Sequence, residues 1–233
     1  MNAPLQSLVN TGPLQLRSKK AVLSYRNDDV LHKFKTQWDI SDEATFDVFE
    51  QTKKFLFLAA YAKTQCFTAE VQEQILIIDE MWHTFILFTD AYHSFCEQNF
   101  DGYLHHEPLT KAGRKETIKD VSSQNVTFAR YKRNTLARQV ELIDELYGFD
   151  TVYRWYCTYP DIYSIEKMNV LRKPIAMQSK HNVSPEGIMG KDFPKNKLQL
   201  VEKIMAGAFD SNSSCGCSGK GCGAGCSCNS RVS

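Results

Sequence analysis

From Ile75 to Phe95 apolar side chains fall on every side of a helix: Ile75, Leu76, Ile77, Ile78, Met81, Trp82, Phe85, Ile86, Leu87, Phe88, Ala91, Tyr92 and Phe95 leave no broad polar face. A helix at a protein surface carries one apolar stripe about 100° wide, whereas one that is greasy all round has to be covered by neighbours. This segment therefore dictates a fold in which other elements enclose it. Thr68 is placed to cap its start and Asp101-Gly102 to stop it, framing one helix over 68–99 that tolerates an internal break.

The enclosing elements read as helices too. Asn27, followed by Asp28 and Asp29, offers a capping side chain and first-turn charge that suits the helix dipole, so a helix runs from there to near Trp38. Ser41-Asp42-Glu43 opens another, with Phe46, Phe49, Leu56, Phe57 and Ala60 on one stripe. Lys53 interrupts that stripe, its stem expected over apolar surface and its ammonium in water. A charged helix begins near Arg114, carries Leu136, Val140, Ile143 and Tyr147 as its later stripe, and has Gly148 where a C-terminal cap belongs. An aromatic segment follows from Tyr153 to Tyr163, then an irregular stretch, then an amphipathic helix over Lys195 to Ala208. There is no internal repeat and no alternation of strands with helices. The expected fold is all-α, a helical bundle around a long buried central helix. A loose arm over 1–24 precedes the helical domain at 25–208, and a disordered Cys/Gly-rich tail occupies 209–233.

Charge argues against several partners. Lys+Arg of 28 against Asp+Glu of 27 leaves a net charge of +1, so no overall field draws the chain to nucleic acid or to an acidic membrane. Arg130, Lys132 and Arg133 around Tyr131 form a local basic patch, read first as the solvated face of an amphipathic helix. An unidentified protein or small molecule is the expected partner instead. The apolar run from Phe55 to Ala62 is less than half of the roughly 20 residues that cross a bilayer. Met1 to Lys20 lacks the apolar core of a secretory signal, so a cytoplasmic location is expected. In that setting Cys66, Cys96 and Cys157 read as buried, reduced thiols.

The chemistry concentrates in Asp79-Glu80-Met81-Trp82-His83. Asp79 and His83 are four apart and share one face of a helix whose other faces are apolar, so two ionisable groups are expected to be buried there. Each must be paired, neutralised or bound to a metal. A structural Asp79–His83 hydrogen bond answers that need. So does a metal site, because His105-His106-Glu107-Pro108 follows the helix and a loop there can fold back against it. One carboxylate with two or three imidazoles suits Zn²⁺, or Fe²⁺ in a two-histidine, one-carboxylate arrangement with open positions. Asp79, His83, His105 and His106 are the candidate ligands, and Asp90 falls near the same stripe if the helix is continuous. Glu80-x-x-His83 matches half of a di-iron signature whose second half the chain lacks, which ranks a mononuclear site higher. His32, His93 and His181 are taken as non-ligands, and Trp82 as core. Whether the domain is an enzyme is left open, with a non-catalytic interaction or scaffold module as the alternative.

The tail has its own chemistry. Cys215-x-Cys217, Cys222 and Cys226-x-Cys228 lie in a Gly/Ser-rich segment with too little apolar surface to offset the entropy of ordering it. Its thiolates suit Zn²⁺ or Cu⁺, while an adventitiously oxidising flexible tail and a modifiable tether remain alternatives.

Asp79-Glu80-Met81-Trp82-His83, continuing through Thr84-Phe85-Ile86-Leu87 to Tyr92, Phe95, Cys96 and the His105-His106-Glu107-Pro108 loop, resembles the core of the glycine-rich domain-containing protein-like family. The likeness covers roughly 25–160 and extends to a glycine-rich segment after the helical domain. This chain departs from the pattern in a short, cysteine-rich tail and in having nothing like an RNA-recognition motif. The resemblance implies a domain identity more than an activity.

Overall fold

The computed structural model describes residues 16–108, 110–123 and 125–174. The Lys195–Ala208 helix expected from the sequence and the tail cysteines Cys215, Cys217, Cys222, Cys226 and Cys228 lie outside the described residues. Among the described residues the regular elements are helical, and the β-type pairing is an isolated bridge between Trp38 and Arg172. The all-α expectation holds.

Two compact units divide the chain. The smaller contains α2 (Asp28–Gln37), the first turn of the following helix, and residues 169–174. Asn27 caps α2 as expected, its side chain accepting from the Val30 N–H at 3.1 Å. Phe34 stacks on Trp38 within this unit, and the Arg172 guanidinium lies 4.7 Å from the Trp38 ring centre.

The larger unit holds residues 16–26 and 46–168. Lys19–Ser24, inside the segment expected to be a loose arm, is a short helix, α1, capped by Ser18. Helix α3 (Asp42–Thr64) begins at Ser41, whose hydroxyl accepts from the Ala44 N–H. Over 55–62 it is buried on nearly every side, so the long enclosed helix of the bundle is α3. Phe46 stands outside that core, 41% exposed beneath the Arg26 guanidinium.

Lys53 differs from expectation. Its side chain is fully buried, and its ammonium donates to the Leu23 and Tyr25 carbonyls at 2.6 and 2.9 Å and pairs with Glu50 at 2.7 Å. Carbonyls at the end of α1 need donors, and the ammonium supplies them from the protein side while the exposed Arg26 guanidinium reaches the same two oxygens from outside. Burial pulls the Lys53 ammonium below its usual value, with Glu50 pulling it back. Lys53→Met removes a buried charged donor from both carbonyls, leaving them only the longer bonds from the Arg26 guanidinium at 3.5 and 3.2 Å, and should destabilise the protein by about 1–3 kcal/mol. Chemical denaturation measures this, and an unchanged midpoint would mean that α1 is held without help from the Lys53 ammonium.

The segment expected as one helix over 68–99 is divided. A 3₁₀ turn (Glu73–Ile75) leads into α4 (Leu76–Ile86), and α5 (Thr89–Phe100) follows a break at Leu87-Phe88. Thr68 does not cap it: the preceding strand of chain is held extended by buried Gln139, which accepts from the Glu70 N–H at 2.8 Å and donates to the Gln72 side chain at 2.8 Å. Around the break Phe85 meets Tyr25, Phe49, Tyr92 and Phe95 at ring distances of 5.1–5.9 Å. Asp101 takes the left-handed conformation, φ 52°, that ends α5.

The expected charged helix is likewise two, α6 (Lys111–Ser123) and α7 (Phe128–Tyr147), with Thr127 capping the second. The buried stripe of α7 is Thr135, Gln139, Leu142 and Ile143, while Leu136 is 40% exposed. Gly148 caps α7 at φ 81°, its N–H bonded to the Asp144 carbonyl. Of the basic patch, Lys132 pairs with Glu70. The aromatic segment forms α8 (Phe149–Tyr153), a π-helical turn (Arg154–Thr158) and α9 (Tyr159–Tyr163), followed by α10 (Ile165–Leu171). Trp155 is buried and donates to Gln51 at 3.0 Å. Cys96 is buried as expected, but Cys66 and Cys157 are exposed. Cys66 sits in the left-handed turn after α3, and Cys157 is on the outer side of the segment that buries Trp155 and Tyr159. No described helix is long and apolar enough to cross a membrane.

Three phenols, Tyr159 buried and Tyr147 and Tyr156 partly so, give the unit an alkaline limit. Tyr147 donates to the Lys54 carbonyl, Tyr159 to Asp47 and Tyr156 to Gln72, each at 2.9 Å. Burial pushes all three above the usual value of 10, Tyr156 to about 12. An unfolded chain releases these protons near pH 10 while the folded one holds them, so their contribution is complete below pH 10 and is lost as pH rises through the folded values. The urea midpoint should fall accordingly, and a constant midpoint between about pH 9 and pH 12 would overturn the assignment.

Candidate metal centre

Asp79 and His83 stand one turn apart on α4, on the side away from Ile77, Ile78, Met81 and Phe85. The third member arrives from the loop after α5. Leu104 is buried, 2% exposed, and its carbonyl accepts from the Tyr92 hydroxyl at 2.6 Å. Two residues on, His106 reaches α4 and its Nε2 lies 2.9 Å from Asp79 Oδ1.

The His106 ring sits between two neighbours. Its centre is 4.1 Å from that of Trp82 and 4.6 Å from that of His83, the two imidazoles 28° from parallel. His83 Nδ1 is 3.7 Å from Asp79 Oδ2, beyond hydrogen-bond length. One donor atom from each of Asp79, His83 and His106 lies within 4.8 Å of the others. Side-chain exposures of 17% for Asp79, 16% for His106 and 52% for His83 describe a cluster closed on the protein side and open at His83.

His83 is thus not buried, contrary to the reading of α4 as greasy on all its other faces. The break after Ile86 leaves that face without a covering helix, and Leu87 beyond it is 65% exposed. Asp79 takes its close partner from the loop, so the expected Asp79–His83 hydrogen bond gives way to Asp79–His106. His105 is exposed, its ring against Tyr103 at 4.8 Å, and does not join the cluster. Adjacent residues on an extended loop point to opposite sides, so one histidine of the pair turns inward. Asp90 is exposed on α5, because the break cancels the angle calculated for a continuous helix. His93 pairs with Glu97 at 3.4 Å, His32 is exposed on α2, and His181 lies outside the described residues.

Trp82 is core, 5% exposed, packed on Phe55 at 5.9 Å, and it also walls the His106 ring. Its indole N–H donates to the Tyr92 hydroxyl at 2.9 Å. By periodicity alone Tyr92 reads as one more apolar residue of the helix. The signal for it was there, since a buried Trp and a buried Tyr each need a partner for the polar tip. Burial, with Cys96 next, pushes the Tyr92 phenol up, and burial pushes the Cys96 thiol up as well.

The donor set fits a metal. Two imidazoles and a carboxylate are the neutral-nitrogen and oxygen ligands that Zn²⁺ and Fe²⁺ take, and at bond lengths of about 2.0–2.2 Å such ligands stand roughly 3.4 Å apart. The present separations, from 2.9 Å to at most 4.8 Å, bracket that value.

Fold and cluster define an all-helical domain with a carboxylate and two imidazoles gathered at its surface. A family model described as UCP032817-like matches residues 18–160, more than half of the 233-residue chain, and the protein belongs to that family. The family shown is thus UCP032817-like, and not the glycine-rich domain-containing family that the motif resembles. Among curated proteins and among solved structures nothing matches.

Proposed function

We propose that Asp79, His83 and His106 hold one divalent ion, Zn²⁺ or Fe²⁺, with coordination positions left for water or a small-molecule substrate. The observation that carries this reading is the convergence of one helix turn and a distant loop on donor atoms within 4.8 Å. Such an ion supplies Lewis acidity, an activated water or a place for oxygen. The chain's part is to hold the two rings and the carboxylate on one side, with Trp82 keeping water from the back of His106. The tail thiolates Cys215, Cys217, Cys222, Cys226 and Cys228 are proposed as a separate, softer site for Zn²⁺ or Cu⁺. The reading places the protein in the cytoplasm, where thiols stay reduced.

A second reading has a specific observation behind it. The 2.9 Å Asp79–His106 contact satisfies both groups without an ion, as in a structural pair of an interaction module. One experiment separates the two. The full-length chain with its five tail cysteines changed to Ser, purified without chelators, is titrated with Co²⁺ and analysed for metal. About one ion per chain, bound with the visible spectrum of a four- or five-coordinate site, is expected. A folded protein that takes up no Co²⁺, Zn²⁺ or Fe²⁺ leaves the interaction module standing.

A further inference from the structure

Trp82 and Tyr92 are ten residues apart, a rise of about 15 Å along an unbroken helix. The break at Leu87-Phe88 folds α5 back so that the indole N–H and the phenol oxygen meet at 2.9 Å. The same hydroxyl then donates to the Leu104 carbonyl at 2.6 Å. The chain of donors starts one residue before His83 and ends two residues before His106. Both residues it joins to are buried, and the Tyr103 ring lies edge-on to Tyr92 at 5.3 Å, covering the junction.

We infer that the Tyr92 hydroxyl is a positioning group for the metal centre, coupling α4 to the 101–108 loop so that His106 is held over Asp79 and against His83. Three features make the hydroxyl rather than the ring the agent. It is bonded to both sides, to Trp82 of α4 and to Leu104 of the loop. It accepts from one and donates to the other, so its proton is fixed in direction by the Trp82 N–H. Its loop partner is a backbone carbonyl, which transmits position to His106 through only two intervening peptide units, where a side-chain contact would leave the backbone free to rotate. Tyr92 touches neither the ion nor a substrate, and acts through His106.

The inference rests on the proposed metal site for its affinity readout, and on geometry alone for its second readout. Tyr92→Phe keeps the ring and deletes the bridge. In the metal-free protein, nuclear Overhauser contacts between the His83 and His106 imidazoles should be present in the native chain and weakened or lost in Tyr92→Phe. Co²⁺ affinity of the chain with tail Cys→Ser changes should fall at least about 10-fold, the lower range for loss of an outer-shell partner, with the rest of the protein spectrum preserved. If the native chain binds no Co²⁺, the metal reading fails while the imidazole contacts still decide the coupling. A folded Tyr92→Phe protein with native imidazole contacts overturns the inference, as does one whose Co²⁺ affinity stays within twofold. Should Tyr92→Phe not fold, replacing Trp82 by its benzothienyl isostere, with sulfur in place of the indole N–H, removes the N–H end while keeping the bicyclic ring against His106. Weaker His83–His106 contacts there support the coupling, and unchanged ones refute it.

Discussion

Trp82→Ala should lower the stability of the protein by about 3–5 kcal/mol, the range for truncating a large buried aromatic. The indole is 5% exposed, packs on Phe55 and forms one wall of the His106 ring. Its removal opens a cavity and also leaves the Tyr92 hydroxyl without the donor it now accepts from. The hydroxyl keeps its bond to the Leu104 carbonyl, and the loss of the other adds to the lost packing. Equilibrium denaturation in urea provides the measurement. A variant with the native midpoint and slope would show that α4 is held by Ile77, Ile78, Met81 and Phe85 without help from this ring.

Asp79→Ala and His106→Ala should each weaken metal binding by more than about 100-fold, the upper end of what even an outer-shell partner costs. His83→Ala should be nearly as damaging, because three ligands are already the minimum for an open site. His105→Ala is the informative control. It alters the neighbouring residue of the same loop, and since the His105 ring lies against Tyr103, metal affinity should be unchanged. Bound ion should also be released on acidification, because a protonated imidazole has no lone pair to give. Equal losses from His105→Ala and His106→Ala would mean that the loop as a whole, and not the His106 ring, carries the effect. Isothermal titration with Zn²⁺ on the chain lacking tail thiols reads all four variants.

Much of this was legible in the sequence because it is local. Asn27 and Ser41 announce helix starts through their own side chains, and Gly148 announces an end because it tolerates φ 81°. The apolar content of 75–95 required enclosure, and Asp79, His83 and a histidine from the following loop emerged as the candidate ligands because their spacing places two on one helical face and the third nearby. Those are statements about periodicity and residue chemistry, which a chain carries with it before it folds.

Other features depend on what each residue meets, and only the tertiary structure decided them. Lys53 has a stem long enough to reach water, and it is instead enclosed because the carbonyls at the end of α1 lie within reach of its ammonium. The break at Leu87-Phe88 contains neither Pro nor Gly, so no local signal marks it. It exposes His83, removes Asp90 from the site and brings Tyr92 onto Trp82. The choice of His106 over His105 follows from the way Tyr92 holds the Leu104 carbonyl. The sequence by itself determined which side chains have the chemistry to gather and that α4 must be covered on most sides. The packing of α5 and its loop against α4 decided which of them meet, because a contact between residues 79 and 106 is a long-range pairing whose geometry is set by hydrogen bonds made elsewhere in the chain.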